Sequence, residues 1–399
     1  MDAINKNKNE RRETPREDTD YIGGVEIGRA KRLVIKIGSS LLISDGKLNI
    51  DWVESLIADI ETLRSQGKEV IIVSSGAVAL GRVTLELGTG SLTLEESQAA
   101  AGAGQITLSH GWQSLLAARN FKAAQILLTI DDTEQRRRYL NARNTLDTLL
   151  SLGVIPIINE NDTIATQELR YGDNDRLAAR VASMISADCI LLLSDINGLY
   201  RHAPTKGETL KAEDHIAEVG SLTPEILSMA GDAGSPHGSG GMRTKLEAVR
   251  IARDSGCHVV LASGKPFNPI SSLTKGAKST FFRANASPLS ARKNWIAGSL
   301  TPMGQVQIDS GAYQALRQDK SLLPVGVTHI TGQFERGDSV LIVDPDGQEI
   351  GRGLSAYNSD DAINIMGQQS DYIADLIGFR GRIELIHRDD LVMIKEDLG

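Results

Sequence analysis

The 399-residue sequence predicts an α/β fold, a mostly parallel sheet sandwiched by helices, with a small β-rich module towards the C-terminal end. Three observations carry that expectation. Short, continuously apolar runs recur along the first two thirds of the chain, as in strands that a parallel sheet buries on both faces. Longer amphipathic segments separate them. Beyond about Gly298 the runs grow shorter and are split by Gly, Pro and Asp, the texture of a compact β unit.

Taken in order, Leu33 to Ile37 reads as the first strand and Asp51 to Gln66 as the first helix, followed by a strand over Glu69 to Val73. An alanine- and glutamine-rich helix from Glu95 to Asn120 leads to a strand over Ala123 to Thr129. A helix over Asp132 to Ser151, carrying Arg136-Arg137-Arg138, precedes the strand Val154 to Ile158. Asp175 to Ser186 reads as helix and Cys189 to Leu193 as strand. A glycine-rich loop at Gly231 to Gly241 opens a further helix, and His258 to Leu261 closes the series. The later strand-like runs are Gly304 to Asp309, Val325 to Ile330, Ser339 to Val343 and Ile350 to Leu354. The chain thus divides into a disordered tail over 1–29, an α/β domain over 30–290, a linker over 291–301 entered through Pro288 to Lys293, and the β-rich module over 302–384.

The bulk numbers exclude several classes. A net charge of -8 gives no sequence-wide basic footprint, and 4% aromatic residues leave little for an extended base-stacking surface. Cys189 and Cys257 stand at or next to the start of apolar runs and read as two buried thiols, not a disulfide or metal pair. Residues 1–20 are almost all polar or charged, without the apolar core of a secretory signal. No apolar stretch approaches the roughly 20 residues a membrane helix needs, so the expectation is a soluble, cytoplasmic protein.

Ligands of open α/β sheets bind beyond the carboxyl ends of the strands. Four polar clusters fall there: Gly38-Ser39-Ser40, Ser74-Ser75-Gly76, Asn159 to Asp162, and Ser194-Asp195. Lys36 interrupts the apolar run Val34-Ile35-Lys36-Ile37 just before the first of them. A lysine there is costly to desolvate unless an anion meets it, which points to a phosphate. The glycine-rich loop from Gly231 feeds a helix whose first turns hold Ser239-Gly240-Gly241-Met242-Arg243-Thr244-Lys245, where backbone amides and the Lys245 charge suit a nucleotide. It is no Walker loop, since G-x-x-x-x-G-K-[ST] occurs nowhere. Asn159-Glu160-Asn161-Asp162 and Gly172-Asp173-Asn174-Asp175 offer carboxamides and carboxylates for a zwitterion or for Mg²⁺. His387-Arg388-Asp389 imitates a protein-kinase loop but lacks the downstream Asn, and no histidine pair has zinc spacing.

Together these stretches, with Leu140-Asn141-Ala142-Arg143 and Leu193-Ser194-Asp195, resemble the amino acid kinase family over roughly residues 31–265. The part from about Pro302 to Glu384 resembles a PUA domain, most clearly at Leu323-Pro324-Val325-Gly326 and Gly351-Arg352-Gly353. The resemblance implies transfer of the γ-phosphoryl of ATP to the γ-carboxylate of L-glutamate, the first step towards proline, with Mg²⁺ accompanying ATP and proline as a feedback inhibitor. It assigns catalysis to Lys36 and Lys245. Lys36, Ser194, Asp195 and Ser239 to Lys245 match ATP-binding positions, and Ser75, Asp162 and Asn174 match substrate-binding ones. A homo-oligomer, dimer or tetramer, is expected. Two alternatives remain at this level: a sister kinase acting on aspartate or acetylglutamate, and an RNA-binding protein on a degenerate kinase fold.

Overall fold

A computed structural model describes residues 22–165, 173–202, 211–230, 239–298, 301–379 and 381–394. The helices that matter for the site are α1 (Ile22–Arg29), α2 (Ile50–Ser65), α3 (Ala77–Thr84), α4 (Leu94–Ala117), α5 (Arg136–Ser151), α6 (Asp173–Met184), α7 (Ser239–Asp254) and α8 (Pro288–Gly298). The strands are β1 (Arg32–Ile37), β2 (Glu69–Val73), β3 (Ala123–Leu128), β4 (Ile155–Glu160), β5 (Cys189–Ser194), β6 (Glu218–Val219), β7 (His258–Ser263) and β8 (Ser279–Phe282), then β9 (Gly304–Ile308), β10 (Val327–Gly332), β11 (Ser339–Val343), β12 (Glu349–Leu354) and β13 (Leu391–Met393).

The first eight strands form one sheet in the order β6-β8-β7-β5-β1-β2-β4-β3. Every pairing from β7 to β3 is parallel, and only β8 runs antiparallel to β7. Alternate residues of each strand enter opposite cores. Leu33, Ile35 and Ile37 pack on the side of α2 with Trp52, Leu56 and Ile60. Val34, Ile71, Val73, Ile158 and Leu192 pack on the other, under Leu177 and Val181 of α6 and Leu246 and Val249 of α7. Both faces are covered, as the continuous apolar runs require. Lys36 shares the parity of Val34 and therefore faces α6 and α7.

Several expectations need correction. Residues 1–21 lie outside the described residues, but 22–29 are not tail: they form α1, whose Ile27 is fully buried. Gly23 and Gly24 let it lie flat, since a Cβ on Gly24 would come within 2.4 Å of the Leu273 carbonyl oxygen. The helix expected over 132–151 is two. Thr129 and Asp132 close a capping box on the helix Ile130–Glu134, and α5 starts afresh after an extended Gln135. His258 to Leu261 does not close the series: β8 follows it in the chain, and β8 and β6 lie outside β7 at that edge of the sheet. The linker segment is helical: α8 begins at Pro288, the Ser287 hydroxyl accepts from the Ser290 amide, and Ile296 is buried.

The C-terminal strands form a separate sheet, β10-β9-β11-β12-β13, around Val306, Ile308, Val340, Ile342, Phe334 and Ile386. This sheet unit rests on α5 and α8. Asp390 accepts from Arg143 at 3.0 Å and from Arg292, and Arg382 donates to the Asn144 side chain at 2.6 Å. Gly337, at φ +91°, passes so close to Leu140 that a Cβ would stand 1.6 Å from its Cδ1.

Candidate active site

The four polar clusters end β5, β1, β2 and β4, which are contiguous at the centre of the sheet. Lys36 occupies the last turn of the pleat on β1 and is only 8% exposed. Its Nζ lies 2.7 Å from Oδ1 of Asp175, which α6 lowers onto the strand ends. Lys245, on the second turn of α7, places its Nζ 3.1 Å from Oδ2 of the same carboxylate and donates to the Gly241 carbonyl at 3.2 Å. Burial pushes the Lys36 ammonium below its ordinary value of 10.5, against the pull of Asp175. Burial would raise the Asp175 carboxyl, yet Lys36 and Lys245 outweigh it and hold it below the usual carboxylate range. Two ammonium groups thus share one buried counter-ion, and the cluster keeps one positive charge over. That excess suits an incoming anion.

On the β5 side of Lys36, the buried Ser194 donates to Oδ1 of the exposed Asp195 at 3.0 Å. On the opposite side, beyond β2 and β4, a chain of amides is laid out. Asn174 Nδ2 donates to Ser75 Oγ at 2.9 Å and to Asn159 Oδ1 at 3.2 Å, and Asn159 Nδ2 donates to Gln105 Oε1 at 2.8 Å. Asp162 follows β4 and lines a cleft of about 430 Å³ together with Gln105, Glu160, Asn161 and Thr163. The Asn174 Oδ1 atom is buried and accepts no hydrogen bond from the described residues.

The amino acid kinase family model matches residues 31–263, well over half of the chain and all of the strands just described up to β7. The chain belongs to the amino acid kinase family. A PUA domain model matches residues 304–377, which hold four of the five strands of the C-terminal sheet unit. This amino acid kinase is 55% identical over 369 residues to a glutamate 5-kinase of Paramagnetospirillum magneticum, covering 92% of this chain and 99% of the relative. It is 53% identical over 364 residues to glutamate 5-kinase 1 of Rhizobium meliloti, covering 91% and 92%. Among solved structures, carbamate kinase from Giardia lamblia bound to AMP-PNP aligns with a TM-score of 0.44 at 15% identity, over 64% of this chain and 99% of that one.

The structure brings together Lys36 and Lys245, and separately Ser75 and Asn174, as the sequence led one to expect. Other residues of the nucleotide segment behave differently. Arg243 is exposed and pairs with Glu247 in its own helix at 3.5 Å, so its charge is not added to the lysine pair. Thr244 is buried and donates to the Gly241 carbonyl at 3.1 Å. Gly241 is exposed and Met242 packs partly against the α6–α7 core. Ser239 and Gly240 open α7, and their side chains, like Gly231 to Gly238, lie outside the described residues, as do Gly172 and the Asp173 side chain. Asp175, one of the carboxylates offered for a zwitterion or for Mg²⁺, engages both lysines. Gln105 was missed, and Asp175 was seen without its role. No helix among the described residues is long and apolar enough to cross a membrane.

Proposed function

We propose that this amino acid kinase transfers the γ-phosphoryl group of ATP to the γ-carboxylate of L-glutamate, giving ADP and γ-glutamyl phosphate on the route to proline. The observation that carries the reading is the Lys36–Asp175–Lys245 cluster standing beside the Ser75–Asn174 pair. A carboxylate acceptor is already ionised at neutral pH, so no general base is required. The difficulty is electrostatic: an anion must approach a polyanionic chain. Phosphoryl transfer is catalysed by positioning and charge stabilisation, which two pre-paired ammonium groups supply without rearranging at the moment of reaction.

In this reading ATP lies over β5 and the start of α7, near Ser194, Asp195 and Gly241, with its terminal phosphate at Lys36 and Lys245. Glutamate lies over β2 and β4, held by Ser75, Asn174 and Asp162. The Asn174 Oδ1, without a partner among the described residues, suits its ammonium. Among the described residues no group of three His, Cys, Asp or Glu could hold a metal, and Asp175 is engaged by both lysines. That donor set fits Mg²⁺ carried on phosphate oxygens, where it would screen the charge of ATP. Proline shares the ammonium and α-carboxylate of glutamate, which supports it as an inhibitor. A homo-oligomer and cytoplasmic residence belong to the same proposal. RNA binding by the C-terminal sheet unit is not part of it: residues 302–394 hold seven Lys and Arg against fourteen Asp and Glu, a balance of -7.

The test is ADP release measured with glutamate, aspartate and N-acetylglutamate side by side. Glutamate is expected to be preferred over both by kcat/KM. Preference for either rival, or salt-dependent RNA binding without ADP release, overturns the reading.

A further inference from the structure

Helix α4 touches the substrate side of the site at three points spaced seven residues apart, along one face. Gln98 Nε2 donates to the Ala165 carbonyl at 2.9 Å, three residues after Asp162. Gln105 Oε1 accepts from Asn159 at 2.8 Å. Trp112 Nε1 donates to Ser74 Oγ at 3.0 Å, next to Ser75. Between these points α4 meets α3 backbone to backbone: a Cβ on Gly104 would stand 1.9 Å from the Ala77 carbonyl oxygen, and one on Gly81 would stand 1.7 Å from that of Ala100. Every element that carries a substrate-side residue therefore leans on this helix, except α6, which it reaches through Asn159.

The direction of the amide chain has a chemical consequence. Gln105 Nε2 donates to Ser109 Oγ at 3.1 Å, which turns its oxygen towards Asn159. Asn159 then donates to Gln105 and must present its own oxygen to Asn174. With Asn174 Nδ2 committed to Asn159 and Ser75, the atom left over is an acceptor, Oδ1. A side-chain amide can otherwise turn over and offer a donor instead.

We infer that Gln105 is a specificity-determining positioning residue, which fixes the Asn174 amide so that it selects substrates bearing a free ammonium group. This rests on the proposed glutamate reading but is tested separately, by calorimetric binding of L-glutamate and of glutarate, the same diacid without the ammonium. Wild type is expected to bind glutamate more tightly. Gln105→Met keeps the length and removes the acceptor, so glutamate Kd should rise about tenfold while glutarate changes less than about twofold. Gln105→Glu retains an acceptor; its added charge repels the carboxylates of both diacids and attracts the ammonium of glutamate alone, so the preference for glutamate should be kept or widened although both bind more weakly. Thermal midpoints of both variants check folding, and Gln105→Glu decides the matter should Gln105→Met fail to fold. An unchanged ratio in folded Gln105→Met, a collapsed ratio in Gln105→Glu, or no wild-type preference overturns the inference. Absence of phosphoryl transfer with the ratio behaving as expected would count against the kinase reading alone.

Discussion

Lys36 on β1 and Lys245 on α7 stand 2.7 and 3.1 Å from the two oxygens of one Asp175 carboxylate. The parity of β1 turns Lys36 towards the face that α6 and α7 cover, and α6 presents Asp175 between the lysines. Removing a carboxylate from such a triad leaves two like charges buried together.

Asp175→Asn is accordingly expected to lower kcat by a factor on the order of 10², and to lower the thermal midpoint in the absence of ATP. Adding ATP should restore much of the lost midpoint, since phosphate replaces the missing anion. A midpoint unaffected by the substitution would separate Asp175 from the lysines.

The pH dependence follows from Lys36. Its folded-state value lies below the ordinary 10.5, so between the two values the unfolded chain holds more protons and stability rises with pH. Activity moves the other way, because the neutral amine does not hold phosphate. The alkaline limb of kcat/KM for ATP is expected below pH 10.5, and Lys36→Arg should shift that limb upward at a reduced rate. A limb that stays in place in Lys36→Arg would assign it to another group.

Asp162→Ala is expected to raise the KM for glutamate about tenfold and to leave the KM for ATP within about twofold, as loss of one charge-assisted contact to the substrate. Steady-state kinetics with each substrate varied in turn reads this directly. An unchanged glutamate KM would remove Asp162 from substrate capture.

Much of this was legible in the sequence. Central strands buried on both faces declare themselves as apolar runs, so the strand ends, and the polar clusters on them, could be located without coordinates. Lys36 was conspicuous because it interrupts the apolar run Leu33 to Ile37. Asp175 was not, because it stands in the run Asp173-Asn174-Asp175, and only the fold sets its carboxylate between the lysines. Gln105 was hidden in an Ala- and Gly-rich helix whose seven-residue rhythm of Gln98, Gln105 and Trp112 is the one signal that could have found it. Most of helix α8 was read as linker, whereas Pro288 at the first helical position is a start.

Asp390 sets a further expectation outside the site. Burial would raise its carboxyl, but Arg143 and Arg292 outweigh that and hold it below its ordinary 3.8. Stability from this contact is complete above that ordinary value and is lost as pH falls through the lowered one. Asp390→Ala leaves two guanidinium groups buried without their carboxylate and is expected to cost about 3 kcal/mol in urea unfolding. A loss under roughly 1 kcal/mol would show that the C-terminal sheet unit does not depend on this contact.

The most direct test of the lysine pair is the rate of γ-glutamyl hydroxamate formation from saturating glutamate and ATP in wild type, Lys36→Ala and Lys245→Ala. Each substitution is expected to slow trapping of the acyl phosphate by a factor on the order of 10². Near wild-type trapping in either variant would contradict the placement of both ammonium groups on the transferred phosphate.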